Sequence, residues 1–215
     1  MKVTSEFAWR MENVLDLYEE AFDPLRPIIC LDETPYQLLA DKLEPIPMQP
    51  GQSKRQDYEY ERKGVASLFI MYQPHTGWRQ VVVKERRTKA DFADIVRNVV
   101  DRWFPGVESI RLVLDNLNTH SPGSLYSTFD PVEAHRLTKM LKFHYTPKHA
   151  SWLNMAEIEI SALQQQCLDR RIPDTETLKR EIDAWQRDRN HRQVKVNWQF
   201  TTEKARVKLA RFYNS

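Results

Sequence analysis

The order of apolar runs along the chain is the feature that most constrains its fold. Three short runs of β-strand character come first, and strand and helix patterns then alternate. Strands joined by a tight turn pair antiparallel, whereas strands joined through a helix pair in parallel by right-handed crossovers. The pattern therefore predicts an α/β fold, in which a mixed sheet of three antiparallel strands and then parallel strands is flanked by helices. The strands are predicted at residues 27–32, 65–72, 78–85, 109–114 and 141–145, and the helices at 4–21, 88–104, 132–140 and 154–168.

Length and composition exclude several classes of protein. The chain has 215 residues, 41% hydrophobic and 29% charged, which is typical of one globular domain or slightly more. Its apolar runs fall far short of the roughly 20 residues that cross a bilayer, and its amino end is acidic where a signal peptide is basic. Cys30 and Cys167 lie in apolar contexts without metal-ligand spacing, so both are predicted in the core. We therefore expect a cytoplasmic protein with no membrane partner.

Charge is distributed unevenly along the chain. The net charge is only +2, but residues 1–50 hold 4 Lys/Arg against 10 Asp/Glu, whereas residues 170–215 hold 12 against 6. A basic end favours a polyanion such as nucleic acid, which basic side chains bind through phosphates without reading sequence. The alternative is a solvated helix face. The candidate phosphate contacts in this region are Arg187, Arg189, Arg192, Lys204, Lys208 and Arg211.

Three carboxylates stand where the predicted fold could bring them together. Asp32 ends the first predicted strand, Asp115 ends the fourth, and Glu157 begins the last helix of the core. Ligands of open α/β sheets bind beyond the carboxyl ends of the strands. Three carboxylates supply hard oxygen ligands for Mg²⁺ or Mn²⁺, and a pair of such ions supports in-line phosphoryl displacement.

Each of the three acids also has a purely structural interpretation. Asp32 and Asp115 are both followed by residues typical of turns, which their carboxylates could stabilise. Asn154 and Glu157 have the spacing of a helix capping box. Strand alternation turns Glu33 away from the face of Asp32, and Glu159 lies about 200° around the helix from Glu157, at roughly 100° per residue.

Polar residues around these acids are candidates for supporting roles. Asn116 and His120 follow Asp115 directly and could position a phosphate or a metal-bound water, while Asn154 precedes Glu157. Lys148 and His149, in the loop before the last helix, are candidate contacts to backbone phosphates. A solvated loop is the alternative for these residues.

Three segments together resemble a known family. CLDETPYQL at 30–38, RLVLDNLNTH at 111–120 and HYTPKHASWLNMAEIEI at 144–160 resemble the signatures of DDE transposases from bacterial insertion sequences, in the mariner-related IS six-thirty family. The resemblance implies a ribonuclease H-like fold and a metal triad of Asp32, Asp115 and Glu157. In that family the third acid follows an Asn by three positions, which favours Glu157 over Glu159.

The resemblance also implies an activity and partners. A transposase of this kind uses two Mg²⁺ ions, which Mn²⁺ can replace, to cleave DNA at the ends of the element and to join the freed 3′-hydroxyl to target DNA at TA. A homodimer on DNA is expected. A nuclease or resolvase without strand transfer, or an inactive DNA-binding relic, are the alternatives.

The resemblance sets expected domain boundaries as well. Relatives carry helix-turn-helix domains before the catalytic domain, whereas here only residues 1–26 precede the first predicted strand. We therefore expect a short amino-terminal helix and linker at 1–26, a catalytic domain at 27–170 and a basic helical extension at 171–215. A separate helix-turn-helix chain is an expected partner for binding to the transposon ends.

Overall fold

A computed structural model describes residues 4–43, 50–51 and 58–210, and it contains one five-stranded sheet. The strands lie in the order β3-β2-β1-β4-β5. β2 pairs antiparallel with both β1 and β3, while β4 pairs in parallel with β1 and β5. The predicted mixed sheet is therefore confirmed. The strands are β1 (Ile28–Asp41), β2 (Tyr60–Gln73), β3 (Trp78–Lys84), β4 (Ile110–Leu114) and β5 (Leu141–Tyr145).

Helices cover both faces of this sheet. Thr88 caps α2 through a capping box with Asp91, as its position before an amphipathic stretch predicts. The short α3, which begins at Pro122, was not predicted from the sequence. The helices are α1 (Ser5–Glu19), α2 (Lys89–Asn98, extended by a π-helical turn Val99–Trp103), α3 (Pro122–Thr128), α4 (Pro131–Met140), α5 (Ala156–Leu163, extended by a π-helical turn Gln164–Leu168), α6 (Thr175–His191) and α7 (Thr202–Lys208).

Two strands are longer than the sequence predicts. β1 continues for nine residues beyond Asp32, and β2 begins at Tyr60, five residues before the predicted strand at 65–72. Beyond the three residues that pair with β4, β2 is the only described strand that pairs with β1, and an edge strand tolerates Pro35. Asp32 therefore lies within β1 and not at its end. Residues 44–49 and 52–57, between β1 and β2, lie outside the described residues.

Strand alternation divides the core between the two faces of the sheet. Ile29 and Leu31 face α2, α3 and α4, whereas Ile28 and Cys30 face α1 and the beginning of α5. A third cluster packs β2 and β3 against α5 and α6. Cys30 is buried, as predicted, but Cys167 is only partly buried. Within the described ranges, no helix combines the length and apolar character that a membrane span requires.

Candidate active site

Asp32 and Asp115 occupy equivalent positions on two neighbouring parallel strands. β1 and β4 pair in register from Ile28 opposite Arg111 to Cys30 opposite Val113, and each aspartate lies two residues beyond the last pair. Residues at equivalent positions point to the same face, and neighbouring strands lie about 4.8 Å apart. The two aspartates therefore hold matching register positions beside the face that α1 and α5 cover, and the charge of Asp115 acts on Asp32.

Asn154 connects the beginning of α5 to this pair. Its Nδ2 donates to the Leu31 carbonyl at 2.8 Å and lies 3.3 Å from Oδ2 of Asp32, and all of these groups are buried. Its carbonyl accepts from the Glu157 N–H at 3.0 Å. Glu157 thus lies in the first turn of α5, three residues beyond Asn154, which contacts Asp32.

The pKa of Asp32 reflects this crowding. The pKa is raised to about 7, mainly by burial and in smaller part by the charges of Glu157, Asp115 and Glu33, against the opposing hydrogen bond from the Glu33 N–H. The carboxylate is only 8% exposed. Charges from three separate parts of the chain therefore act on the Asp32 carboxylate.

The structural interpretations of the three acids have different outcomes. The N–H of Asn154 donates to the Ser151 carbonyl at 2.7 Å, and its Oδ1 accepts from Ala156, so it does not form the capping box with Glu157. The turn interpretation of Asp115 is correct, because its Oδ1 accepts from the Leu117 N–H at 3.0 Å. The turn and a role in the site are compatible, since this contact uses only one carboxylate oxygen.

Glu159 is committed to a buried ion-pair network. It is 1% exposed, and its two oxygens accept from Arg79 Nε at 2.7 Å and from Arg189 Nη2 at 3.0 Å. The side chain of Glu159 therefore points away from Glu157, as its angle around the helix predicts. Two arginines neutralise Glu159, which leaves Glu157 as the candidate third acid.

His120 bridges Asp115 to Glu33 on the other side of β1. Its Nδ1 lies 2.6 Å from Oδ1 of Asp115, its Nε2 lies 2.8 Å from Oε2 of Glu33, and its ring packs on Phe92. Burial lowers the pKa of His120, but the two carboxylates outweigh it and raise the pKa to about 9. The contact between His120 and Asp115 in turn holds the pKa of Asp115 below its usual value, although burial acts to raise it. Sequence reasoning predicted a role for His120 and missed Glu33, because only the fold brings these side chains together.

Asn116 ties the end of β4 to two other segments. Its Nδ2 donates to the Thr146 carbonyl, and its Oδ1 accepts from Arg10 of α1. A cleft of about 790 Å³ opens between α1 and residues 146–151, beside Asp115. Lys148 and His149 are exposed and line this cleft, so the structure places both candidate phosphate contacts next to Asp115.

The basic residues of the carboxyl-terminal part do not share one environment. Arg189 is buried against Glu159, Gln166 and the Trp185 ring, so its prediction as a DNA contact is wrong: its guanidinium stabilises the packing of α6. Arg211 lies outside the described residues. The remaining candidates are exposed: Arg187, Arg192 with Asp188 at 2.6 Å, Lys204 with the Gln199 carbonyl, and Lys208 over the Phe200 ring.

The chemistry of the carboxylates fits a divalent metal. Mg²⁺ and Mn²⁺ prefer carboxylate oxygens, and a crowded acid whose pKa is raised gains most from a neighbouring cation. In residues 4–43, 50–51 and 58–210, however, no three His, Cys, Asp or Glu side chains are spaced as ligands of one ion. Joint coordination by Asp32, Asp115 and Glu157 therefore requires the three carboxylates to move closer together.

A comparison with protein families decides the identity of this fold. The model of the family described as "DDE superfamily endonuclease" matches residues 27–179, well over half of the chain. The chain belongs to the DDE superfamily endonucleases. No curated protein matches its sequence.

Solved structures of Mos1 mariner transposase share the fold of this DDE superfamily member. The paired-end complex with Mn superposes with a TM-score of 0.57 and 15% identity, over 90% of this chain and 60% of that chain. The strand transfer complex superposes with a TM-score of 0.56 and 16% identity, over 87% of this chain and 56% of that chain. A pre-cleavage transpososome superposes with a TM-score of 0.57 and 13% identity, over 99% of this chain and 64% of that chain. The mixed sheet flanked by helices is thus ribonuclease H-like, as predicted. This DDE superfamily member spans about three fifths of the length of those Mos1 chains.

Proposed function

We propose that this chain is the catalytic part of a transposase of the mariner-related IS six-thirty family, which cleaves DNA and joins a 3′-hydroxyl to target DNA. The observation that carries the proposal is the equivalent register of Asp32 in β1 and Asp115 directly after β4, with Glu157 linked to Asp32 through Asn154. Family membership and the three ordered motifs support it. Residues 27–170 would form the catalytic domain, with 1–26 and 171–215 as helical extensions.

The proposed catalytic triad is Asp32, Asp115 and Glu157, which would hold two Mg²⁺ or Mn²⁺ ions. When bound, such ions activate water and stabilise the charge of an in-line phosphoryl displacement. Structures of Mos1 complexes with Mn and with Mg are consistent with this metal preference. The chain's own residues orient the acids: Asn154 fixes Asp32 by a side-chain hydrogen bond, and His120 fixes one oxygen of Asp115.

DNA is the proposed partner, both as transposon end and as target, with TA as the target sequence. The solved Mos1 complexes include a paired-end complex with the left transposon end and a strand transfer complex, which supports this choice. Lys148 and His149 would contact backbone phosphates beside Asp115. The proposal includes a homodimer on DNA and a separate helix-turn-helix chain for recognition of the ends.

A strand-transfer assay tests the proposal. The purified protein is incubated with Mg²⁺, supercoiled plasmid and a fluorescent DNA duplex that carries the candidate end sequence with a free 3′-hydroxyl, and Asp115→Asn is the matched control. Covalent transfer of fluorescence to the plasmid by the wild type alone supports the proposal. Plasmid nicking without joining would identify a nuclease or resolvase, and DNA binding without either reaction would identify a relic; both results overturn strand transfer.

A further inference from the structure

Arg10 of α1 reaches the loop that carries Asp115, although α1 precedes the residues matched by the family model. Its Nη1 donates to Oδ1 of Asn116, the residue directly after Asp115, and its guanidinium lies 5.9 Å from the centre of the Tyr145 ring on β5. The Arg10 side chain is 25% exposed and lines the cleft beside Asp115. A helix outside the matched segment therefore contributes a cation to the candidate active site.

The hydrogen-bonding capacity of Arg10 is not used up. A guanidinium has five N–H donors arranged to match carboxylate or phosphate oxygens. Nη2 of Arg10 lies 2.9 Å from Oε1 of Glu6, while its Nε is buried and has no hydrogen-bond partner among the described residues. Asn116 holds one side of the guanidinium, so the group is oriented before any ligand arrives.

Glu6 is a weak and replaceable partner for Arg10. The Glu6 side chain is 68% exposed and lies one helical turn from Arg10 on the same helix. Exposed ion pairs of this kind contribute only about 0–1 kcal/mol. A phosphate carries the same charge and the same acceptor geometry as the carboxylate, so it can replace Glu6 at little cost.

The opposite wall of the cleft is also basic. Lys148 and His149 lie on the segment between β5 and α5, facing the cleft with exposed side chains. The volume of about 790 Å³ lies within the range of roughly 300–1,000 Å³ typical of ligand pockets. Cations on both walls and a carboxylate of the proposed triad at the base favour a phosphodiester chain over a small anion.

We infer that Arg10 is a DNA-positioning residue that binds a backbone phosphate in this cleft, next to the phosphate that is cleaved. When DNA is absent, the Glu6 carboxylate binds Arg10 in place of that backbone phosphate. This inference rests on the proposed function. It makes α1 part of the substrate-binding site, and it separates Arg10, which a phosphate reaches, from Arg189, which is buried in an ion-pair network.

Binding measurements without catalysis test this inference. Fluorescence anisotropy with a labelled 20-base-pair DNA duplex in EDTA reports binding when no cleavage occurs. We expect Arg10→Gln to weaken binding about tenfold at 0.1 M salt, because one charge-assisted contact is lost. The slope of log K against log salt should fall by about 0.9, the value for one phosphate contact. Arg10→Lys should keep most of that slope.

Glu6→Gln gives the result that a merely structural role of Arg10 does not produce. Removing the competing carboxylate should tighten binding about twofold to threefold, since the lost ion pair is a weak one. Arg136→Gln is the matched control. Arg136 lies on α4, on the other side of the sheet, where it is ion-paired with Glu133 of the same helix and with Asp101 of the turn after α2. This variant should bind DNA as the wild type does. Thermal unfolding checks that each variant is folded.

Three results would overturn the inference: no binding by the wild type, binding by Arg10→Gln within twofold of the wild type, or weaker binding by Glu6→Gln. If Arg10→Gln fails to fold, Arg10→Lys and Glu6→Gln decide the question. A normal Arg10 effect with no strand transfer in Mg²⁺ would overturn the proposed function alone. Strand transfer with no Arg10 effect would overturn the inference alone.

Discussion

The side-chain amide of Asn154 lies 3.3 Å from the carboxylate of Asp32, although 122 residues separate them in the chain. The same Nδ2 donates to the Leu31 carbonyl, so one buried amide fixes the beginning of α5 to the middle of β1. The position of Glu157 relative to Asp32 therefore depends on Asn154 as well as on the packing of α5.

Replacement of Asn154 should affect both stability and the proposed activity. Asn154→Ala removes both contacts of the Nδ2 donor and leaves the buried Leu31 carbonyl without this partner, which costs about 1–3 kcal/mol. Asn154→Asp adds a charge beside Asp32 and should destabilise the protein further above pH 7. Urea denaturation and Mg²⁺-dependent plasmid nicking measure the two effects. Equal stability and activity of the wild type, Asn154→Ala and Asn154→Asp would contradict the role of Asn154 in holding Asp32 and the beginning of α5 together.

The two glutamates of α5 should respond in opposite ways to neutralisation. Glu157→Gln should abolish Mg²⁺-dependent cleavage with little change in stability. Asp115→Asn should abolish cleavage too, but it also removes the ion pair with His120 and should lower stability. Glu159→Gln instead leaves Arg79 and Arg189 partly unpaired in a buried network and should cost about 3–5 kcal/mol. Denaturation curves and nicking assays on the same preparations separate these outcomes. If Glu159→Gln were folded but inactive and Glu157→Gln were fully active, the third acid of the triad would be Glu159 and not Glu157.

The parts of the fold that were predicted correctly are the elements whose own residues show an apolar run or a helical periodicity. β4 and β5 are short, apolar and buried, and their observed bounds differ by at most one residue from the prediction. The extension of β1 past Asp32 has no such pattern, because it is stabilised by pairing with β2. α3 was missed because its seven residues bury only Ser124 and Leu125, too few to show helical periodicity.

In the candidate site, too, features with a local sequence pattern were predicted and features made by long-range contacts were missed. Strand order predicted that Asp32 and Asp115 belong to neighbouring strands, although Asp32 lies within β1 and not at its end. The angle around α5 predicted that Glu159 would face away. The bridge from Glu33 through His120 to Asp115 joins residues up to 87 positions apart, since 120 − 33 = 87, and no local spacing indicates it. The burial of Arg189 was missed for the same reason, because its partner Glu159 lies on another helix.

The raised pKa of Asp32 predicts a pH-dependent effect in the metal-free protein. The folded state holds the proton up to about pH 7, whereas the unfolded carboxyl loses it near 3.8, so stability falls as the pH rises between these values. Asp32→Asn should therefore be more stable than the wild type at pH 8 in EDTA, and this advantage should shrink toward pH 4. Added Mg²⁺ should raise the melting temperature of the wild type at pH 8 and leave that of Asp32→Asn nearly unchanged. A pH-independent difference would contradict the raised pKa of the buried Asp32 carboxyl.

His120 should stabilise the fold in the opposite pH window. Its folded pKa of about 9 lies above the usual 6.5, so the stabilisation is fully present below pH 6.5 and disappears as the pH rises through 9. A difference of this size corresponds to about 3 kcal/mol, which His120→Gln should lose at pH 6 and largely not lose at pH 9.5. The exposed His135 supplies the control, since His135→Gln should unfold as the wild type does at both values. Urea denaturation at the two pH values measures this, and an equal loss at both would show that His120 acts by packing on Phe92 and not by its charge between Glu33 and Asp115.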